Sequence, residues 1–198
     1  MEDYITLNKK NTEYLISISN DERNEMLKLN RYLPQLSIFG KYVDKNLSLL
    51  DIGIRDGAFL EVLRAKGFVD LYGIDIYEKS VKLGKEKGFN CVVADAHYFK
   101  LNKKFGTIVM SHSLEHCPYP NKVIERVYEH LLDDGILFIE VPREEGCPKP
   151  TVKDAHYYNF NNMESLLNLF DDGWEILENL IQGKNNCRLK IVVKKRSV

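Results

Sequence analysis

Only four cysteines occur in the chain, Cys91, Cys117, Cys147 and Cys187, and no two of them form a C-x-x-C pair. That spacing argues against a zinc site, while leaving open a disulfide formed through the fold. An excess of one charge is missing as well: Lys+Arg 28 against Asp+Glu 29 leaves a net charge of -1. A balance so close to neutral gives no general pull toward nucleic acid or an anionic membrane. Lys190, Lys194, Lys195 and Arg196 are a local exception that reads as a solvated strand end. Basic and aromatic residues are nowhere interleaved in the stripe that single-stranded nucleic acid requires. No apolar run approaches the roughly 18 residues needed to cross a bilayer, and no charged-then-apolar signal segment opens the sequence. Neither a membrane nor a nucleic acid is an expected partner, and a cytoplasmic, reducing compartment is the expected setting. Internal repeats and low-complexity stretches are absent.

At 198 residues, 44% of them hydrophobic and 29% charged, the chain has the composition and length of one globular domain. Residues 1–45 read as a helical prelude. Ser19 and Glu22 have capping-box spacing, and Met26, Leu29 and Leu33 follow at helical intervals until Pro34 interrupts. From Leu47 to Val141 the texture changes to apolar runs alternating with helical segments. The runs are Ser48 to Ile52, Asp70 to Ile74, Asn90 to Ala94, Thr107 to Ser111 and Gly135 to Val141. Between the last two, Val123, Ile124, Val127, Tyr128 and Leu131 keep a helical period. Continuous apolar strands separated by helices predict a parallel sheet buried on both faces. Later, Asn161 and Glu164 predict the start of another helix, carrying Met163, Leu166, Leu167 and Phe170. Trp174 to Ile181 and Cys187 to Lys195, joined by Gly183-Lys184-Asn185-Asn186, predict a closing hairpin.

The chemistry concentrates where strands end. In Leu49 to Leu60, LLDIGIRDGAFL, a strand passes Asp51, Gly53 and Gly57 and enters an amphipathic helix. Glycines at such a turn let a ligand lie against bare amides at a helix N-terminus. The next strand ends in Tyr72-Gly73-Ile74-Asp75, placing a carboxylate where an adenosine ribose offers its hydroxyls. The third runs into Asp95 and Ala96, an acceptor for an exocyclic amine beside a residue small enough for a flat ring. The fourth ends in MSHSLEH, Met110 to His116. Each alone has a plainer reading, Asp75 as a helix cap and Gly53 to Gly57 as a tight turn. Four successive strand ends with suitable groups are harder to assign to chance.

With these residues in view, the chain resembles the class I S-adenosylmethionine-dependent methyltransferases, in particular the small-molecule branch of ubiquinone-biosynthesis-type enzymes. The resemblance spans about residues 45 to 175. LDIGIRDGAF is similar to the family's glycine motif, GIDI to its ribose-binding acid, and VVADA to its adenine-contacting segment. MSHSLEHCPYP and LLDDGILFIEVP are similar to its signatures around strands four and five, and DAHYYNFNNMESLLNLF to a late segment of the branch. The resemblance implies an α/β, Rossmann-like seven-stranded sheet, mostly parallel with an antiparallel last strand and helices on both faces. It implies S-adenosyl-L-methionine as cofactor and a small-molecule acceptor methylated on oxygen or nitrogen. Asp51, Gly53 and Gly57 would shape the pocket for the methionine part, Asp75 would bind ribose, Asp95 and Ala96 would face adenine, and Ser111 would lie near the sulfonium. Ile54, Arg55, Ile76, His97 and His112 complete the expected cofactor-binding set, and no metal is expected. One departure matters. Arg55 replaces the family's middle glycine, so its side chain must either turn away from the cofactor or meet the cofactor carboxylate.

Methyl transfer from a sulfonium chiefly needs near-attack geometry and a dry site, with a general base only if the acceptor must lose a proton. His116 and His156 are the candidates for that base or for orienting the acceptor. The acceptor site is expected between the N-terminal helical cap, residues 1–45, and a loop from Arg143 to Asp154 that is long enough to act as a lid; residues 46–198 form the core. Tyr157, Tyr158 and Phe160 are candidates to line it, with at least one of them in the core. Two other readings of the same residues differ in what they require. A nicotinamide-dependent oxidoreductase needs G-x-G-x-x-G, which Gly53-x-x-x-Gly57 does not provide. A degenerate relative that binds without catalysis is suggested by Arg55, but has no need of Asp75, Asp95 and Ser111 together.

Overall fold

Strands that are apolar on both faces need helices above and below them, and the computed structural model of the chain has that form. It describes residues 4–19, 25–145 and 156–197. Two helices come first, α1 (Tyr4–Ser19) and α2 (Glu25–Phe39). Then β1 (Leu49–Ile52), α3 (Ala58–Ala65), β2 (Leu71–Asp75), α4 (Glu78–Glu86), β3 (Asn90–Val93) and β4 (Phe105–Ser111) alternate. A short 3₁₀ turn, Leu114–His116, precedes α5 (Pro120–His130), β5 (Leu131–Pro142), α6 (Met163–Leu167), β6 (Trp174–Gln182) and β7 (Arg188–Lys195).

The seven strands lie in the order β3-β2-β1-β4-β5-β7-β6. Pairings from β3 through β5 are parallel, and β7 runs antiparallel to both of its neighbours, β5 and β6. One reversed strand in an otherwise parallel sheet is the expected architecture. Alternate residues of each strand feed two separate cores. Leu50, Ile108 and Leu137 face α5 and α6 through Val123, Val127 and Leu166. Leu49, Val109 and Phe138 face α2 and α3 through Phe39, Phe59 and Leu63.

Three local expectations shift. Pro34 does not end a helix but sits inside α2, which continues to Phe39. The missing N–H and ring clash of a mid-helix proline cost about 3 kcal/mol. Burial of Ile38 and Phe39, 5% and 0% exposed, holds the last turn in place against that cost. The cap of α6 is Asn162 rather than Asn161, in a reciprocal box with Ser165 rather than with Glu164. Strand β5 starts four residues early, because Leu131 already pairs with Phe105 across an irregularity in β4. Glu22 of the proposed Ser19 cap lies outside the described residues, as does most of the expected lid, of which Arg143, Glu144 and Glu145 are described. Cys91 and Cys117 are buried free thiols, whereas Cys187 is disulfide-bonded. No helix among the described residues is long and apolar enough to cross a membrane.

Phe138 lies at the centre of the second core, fully buried, with its ring 5.0 Å from that of Phe39. Phe138→Ala should lower the unfolding free energy by about 3–5 kcal/mol in urea titrations. A loss under about 1 kcal/mol would mean that α2 does not close this face.

Candidate active site

The chain steps outward from β1 to β3, then returns past β1 to start β4 on its other side. Loops leaving the carboxyl ends of β1 and β4 part at such a switch point, and a crevice opens between them. A cavity lies there, with about 1060 Å³ of space including its open mouth, and α1 and α2 contribute to its wall through Tyr4, Asn8, Thr12 and Tyr32.

Strand by strand, it gathers the residues marked in the sequence. The end of β1 supplies Asp51, Gly53, Ile54 and Arg55, and the end of β2 supplies Asp75 and Ile76. From the segment after β3 come Asp95, Ala96 and His97, and from the end of β4 Ser111 and His112, with His116 just beyond. Gly57 does not reach the wall. It precedes α3 in a left-handed conformation, φ 73°, and serves the turn. Gly53 has a steric reason to be glycine: at φ +88°, an added Cβ would stand 2.7 Å from Ser113 Cβ.

Arg55 is also left-handed, φ 52°, an uncommon conformation for a residue with a side chain. Its N–H donates to Asp75 Oδ2 at 3.0 Å. Its guanidinium donates to Tyr32 of α2 at 3.2 Å and to Asp56 at 3.4 Å. The side chain is thus held along the wall toward α2 and leaves the middle of the cavity open. Strained backbone persists where surrounding bonds over-determine it, and His112, φ 53°, is a second case on the same wall.

Three carboxylates stand in this crevice in different states. Burial pushes Asp51 up to about 7, reinforced by the nearby Asp75 and opposed by Arg55. Burial also raises Asp75, to about 6, against the pull of N–H bonds from Tyr77 and Arg55. Asp95 goes the other way. Burial would raise it, but bonds from His97 and Tyr4 hold it below the usual carboxylate range. His97 donates its backbone N–H to Asp95 Oδ1 at 2.8 Å and places ring Nδ1 2.7 Å from the same oxygen, while the Tyr4 hydroxyl donates to Oδ2.

Beyond β4, His112 lies between Glu140 at 3.1 Å and Glu115 at 3.4 Å. Burial opposes its charge, yet the bonds to Glu115 and Glu140 prevail and raise it to about 9. Glu140, itself beside Arg188 and Lys190, is pulled down to about 2 by His112 and those cations despite its burial. Gln35 of α2, 2% exposed, donates to Ser111 Oγ at 2.8 Å.

His116 lines the cavity, and His156, although outside the wall, stands beside it with ring centroids 5.2 Å apart. Of the three aromatic candidates, Phe160 is fully buried core and Tyr158 packs on it, while Tyr157 meets the edge of Tyr4 at 6.1 Å. Individual contributors from α1 and α2, Tyr4, Asn8, Tyr32 and Gln35, were not singled out in the sequence. Their spacing there carries only a helical period, and nothing local marks them as facing a cavity.

The buried acids have a thermodynamic consequence. Asp51 titrates from 3.8 in the unfolded chain to about 7 in the fold, so its contribution to stability is present below pH 4 and is lost as pH rises through 7. Relative to wild type, Asp51→Asn should therefore gain stability between pH 4.5 and pH 8, by about 2–4 kcal/mol at the upper end. Urea midpoints of both proteins across that range decide it. A difference independent of pH would mean that Asp51 is ionised throughout.

Comparison with known proteins agrees with this geometry. A family model described as a methyltransferase domain matches residues 21–174. A carboxy-S-adenosyl-L-methionine synthase from Trichodesmium erythraeum (strain IMS101) is 28% identical over 130 residues, covering 59% of this chain and 51% of that protein. The chain thus spans about half the length of that curated relative. Among solved structures, the N-methyltransferase NodS from Bradyrhizobium japonicum WM9, in complex with S-adenosyl-L-homocysteine, superposes with a TM-score of 0.73. It is 17% identical, with 96% of this chain and 99% of that one covered. The [4+2]-cyclase SpnF superposes at 0.71 with 14% identity over 96% and 93%. These two likenesses speak for the fold, and the family model for the assignment: the chain belongs to the methyltransferase-domain family.

Proposed function

We propose that the chain transfers a methyl group from S-adenosyl-L-methionine to an oxygen or nitrogen of a small-molecule acceptor. The observation that carries this reading is the convergence of Asp51, Asp75 and Asp95, from the ends of β1, β2 and β3, on one cavity with Ser111 from β4. The residues fit the cofactor. Each oxygen of Asp75 already accepts one backbone N–H and keeps a lone pair for a ribose hydroxyl. Ala96 and Ile76 offer a flat apolar slot, and Asp95 an acceptor for the adenine amine in place of Tyr4. Gly53, whose absent side chain lets Ser113 pack against it, leaves bare backbone on the wall near Asp51 for the methionine part. Bound there, the cofactor supplies an activated methyl on a sulfonium, a good leaving group that needs no acid.

The protein's own task is then alignment and exclusion of water. Helix α1, anchored over the mouth by Tyr4 to Asp95 and by Asn8 to the His116 carbonyl at 3.0 Å, belongs to that task and to the acceptor side. His116, on the wall, and His156 beside it are placed to help a hydroxyl or ammonium acceptor lose its proton. The strained backbone at Arg55 supports a second reading, a relative that binds the cofactor without turnover.

Asp75→Ala should weaken binding of S-adenosylmethionine and S-adenosylhomocysteine by about 100-fold or more, since two charge-assisted bonds are lost. Titration calorimetry measures this directly. Equal affinity in variant and wild type would remove Asp75 from the site, and tight binding without transfer to any small-molecule acceptor would favour the second reading.

A further inference from the structure

We propose that Glu115, His116 and His156 form a divalent-metal site at the acceptor side of the cavity, with Glu144 orienting His156 from behind. One oxygen or nitrogen from each of the three lies within 4.8 Å of the others. Two imidazoles and one carboxylate are a donor set that suits first-row cations such as Zn²⁺, Fe²⁺ or Co²⁺, and three protein ligands leave coordination positions open.

Four features support the site independently of one another. First, Glu115 is 1% exposed, and its Oε2 has no hydrogen-bond partner among the described residues, while Oε1 is engaged by His112. A buried, unpartnered carboxylate oxygen is costly and calls for a counter-group. Second, His156 Nδ1 lies 2.7 Å from Glu144 Oε1, which makes Nε2 the ligand atom. This carboxylate–imidazole pairing is the one that orients metal-bound histidines. Third, the two halves of the site, 40 residues apart in sequence (116 to 156), are stitched together by backbone. The Tyr157 and Tyr158 N–H groups donate to the Glu115 carbonyl at 2.9 and 3.1 Å, fixing His156 next to His116. Fourth, the imidazoles are not sealed off: the His116 and His156 side chains are 18% and 14% exposed, so an ion can reach them. Ligand atoms around one cation stand about 3–3.5 Å apart, so small rotations of these side chains close the shell.

The class of acceptor follows, and this step rests on the methyl-transfer reading. A cation with open positions beside the cavity favours an acceptor that chelates through two neighbouring oxygens, such as a vicinal diol, a catechol or a 2-hydroxy acid. The cation lowers the pKa of the hydroxyl to be methylated, so neither histidine has to act as the base.

The probe is Co²⁺ alone, titrated into the untagged full chain after chelator dialysis and followed by visible absorption. Wild type should saturate at a single equivalent. His156→Ala and Glu115→Gln should lose the signal with unchanged melting cooperativity, and Glu144→Gln should weaken affinity about 10–100-fold. His156→Cys, which restores a ligand, should bind again and add thiolate-to-metal absorption, a result that a packing role for His156 does not produce. No saturable binding by wild type, or equal binding by wild type and His156→Ala, overturns the site. S-adenosylhomocysteine affinity, measured alongside, separates the two readings. If it binds while Co²⁺ does not, the metal site alone fails; if Co²⁺ binds and it does not, the chelating acceptor falls and the metal site stands.

Discussion

The seam between β1 and β2 does not stop where the strands do. Beyond Ile52, the N–H groups of Gly53 and Ile54 both donate to the Ile74 carbonyl, at 2.8 and 3.2 Å, and the Arg55 N–H goes to the Asp75 side chain. The seam closes this tightly because Gly73, opposite Asp51 in the register, has no side chain: a Cβ there would stand 2.2 Å from Ile54 Cγ2. Ile54 therefore lies down over β2, and Arg55 is forced into its left-handed turn above Asp75. Take away this closure and Asp51 and Asp75 no longer share a wall. The arrangement of the remaining groups, from Tyr32 on the guanidinium to the opening toward α1, follows from it.

Long-range order comes from a different source. The sheet has an interior on each side, and three of the four strands that carry the site, β1, β2 and β4, sit inside it rather than at an edge. The ends of these three are consequently held by core packing on both faces, whereas β3, which leads to Asp95, is an edge strand. A site built this way can afford strained residues at Arg55 and His112, each costing of order 1–3 kcal/mol, because the surrounding elements do not yield.

The sequence was most legible where one residue's neighbours determine its environment. Apolar runs of five to seven residues between helical periods predict the parallel strands, and the polar group at the end of each of the first four has to sit at the crevice edge once the strands are parallel. That inference needs no long-range contact, which is why the common cavity of Asp51, Asp75, Asp95 and Ser111 is legible in the sequence. Pro34 lies within α2 against its local propensity because Phe39 is buried against Phe138, a contact across 99 residues (39 to 138). Tyr4 and Tyr32 are illegible for a related reason: what brings them to the crevice is the face that α1 and α2 turn to it. His116 and His156 could be named as candidates, but their adjacency depends on two backbone bonds to the Glu115 carbonyl that no motif announces.

The state of the acids also bears on which cofactor this crevice suits. A dinucleotide brings a pyrophosphate to the turn after β1, where in this chain Asp51 and Asp75 are both buried and already disfavour each other's charge. Adding two negative phosphates would deepen that penalty, and Arg55, the nearest cation, is held by Asp56 and Tyr32. A sulfonium and an ammonium have the opposite effect. Each favours the ionised form of Asp51, so binding below about pH 7 should be accompanied by proton release. The same burial that costs the empty fold stability thus becomes a preference for a cationic ligand. Electrostatics and the absent middle glycine therefore reject the nicotinamide reading on separate grounds.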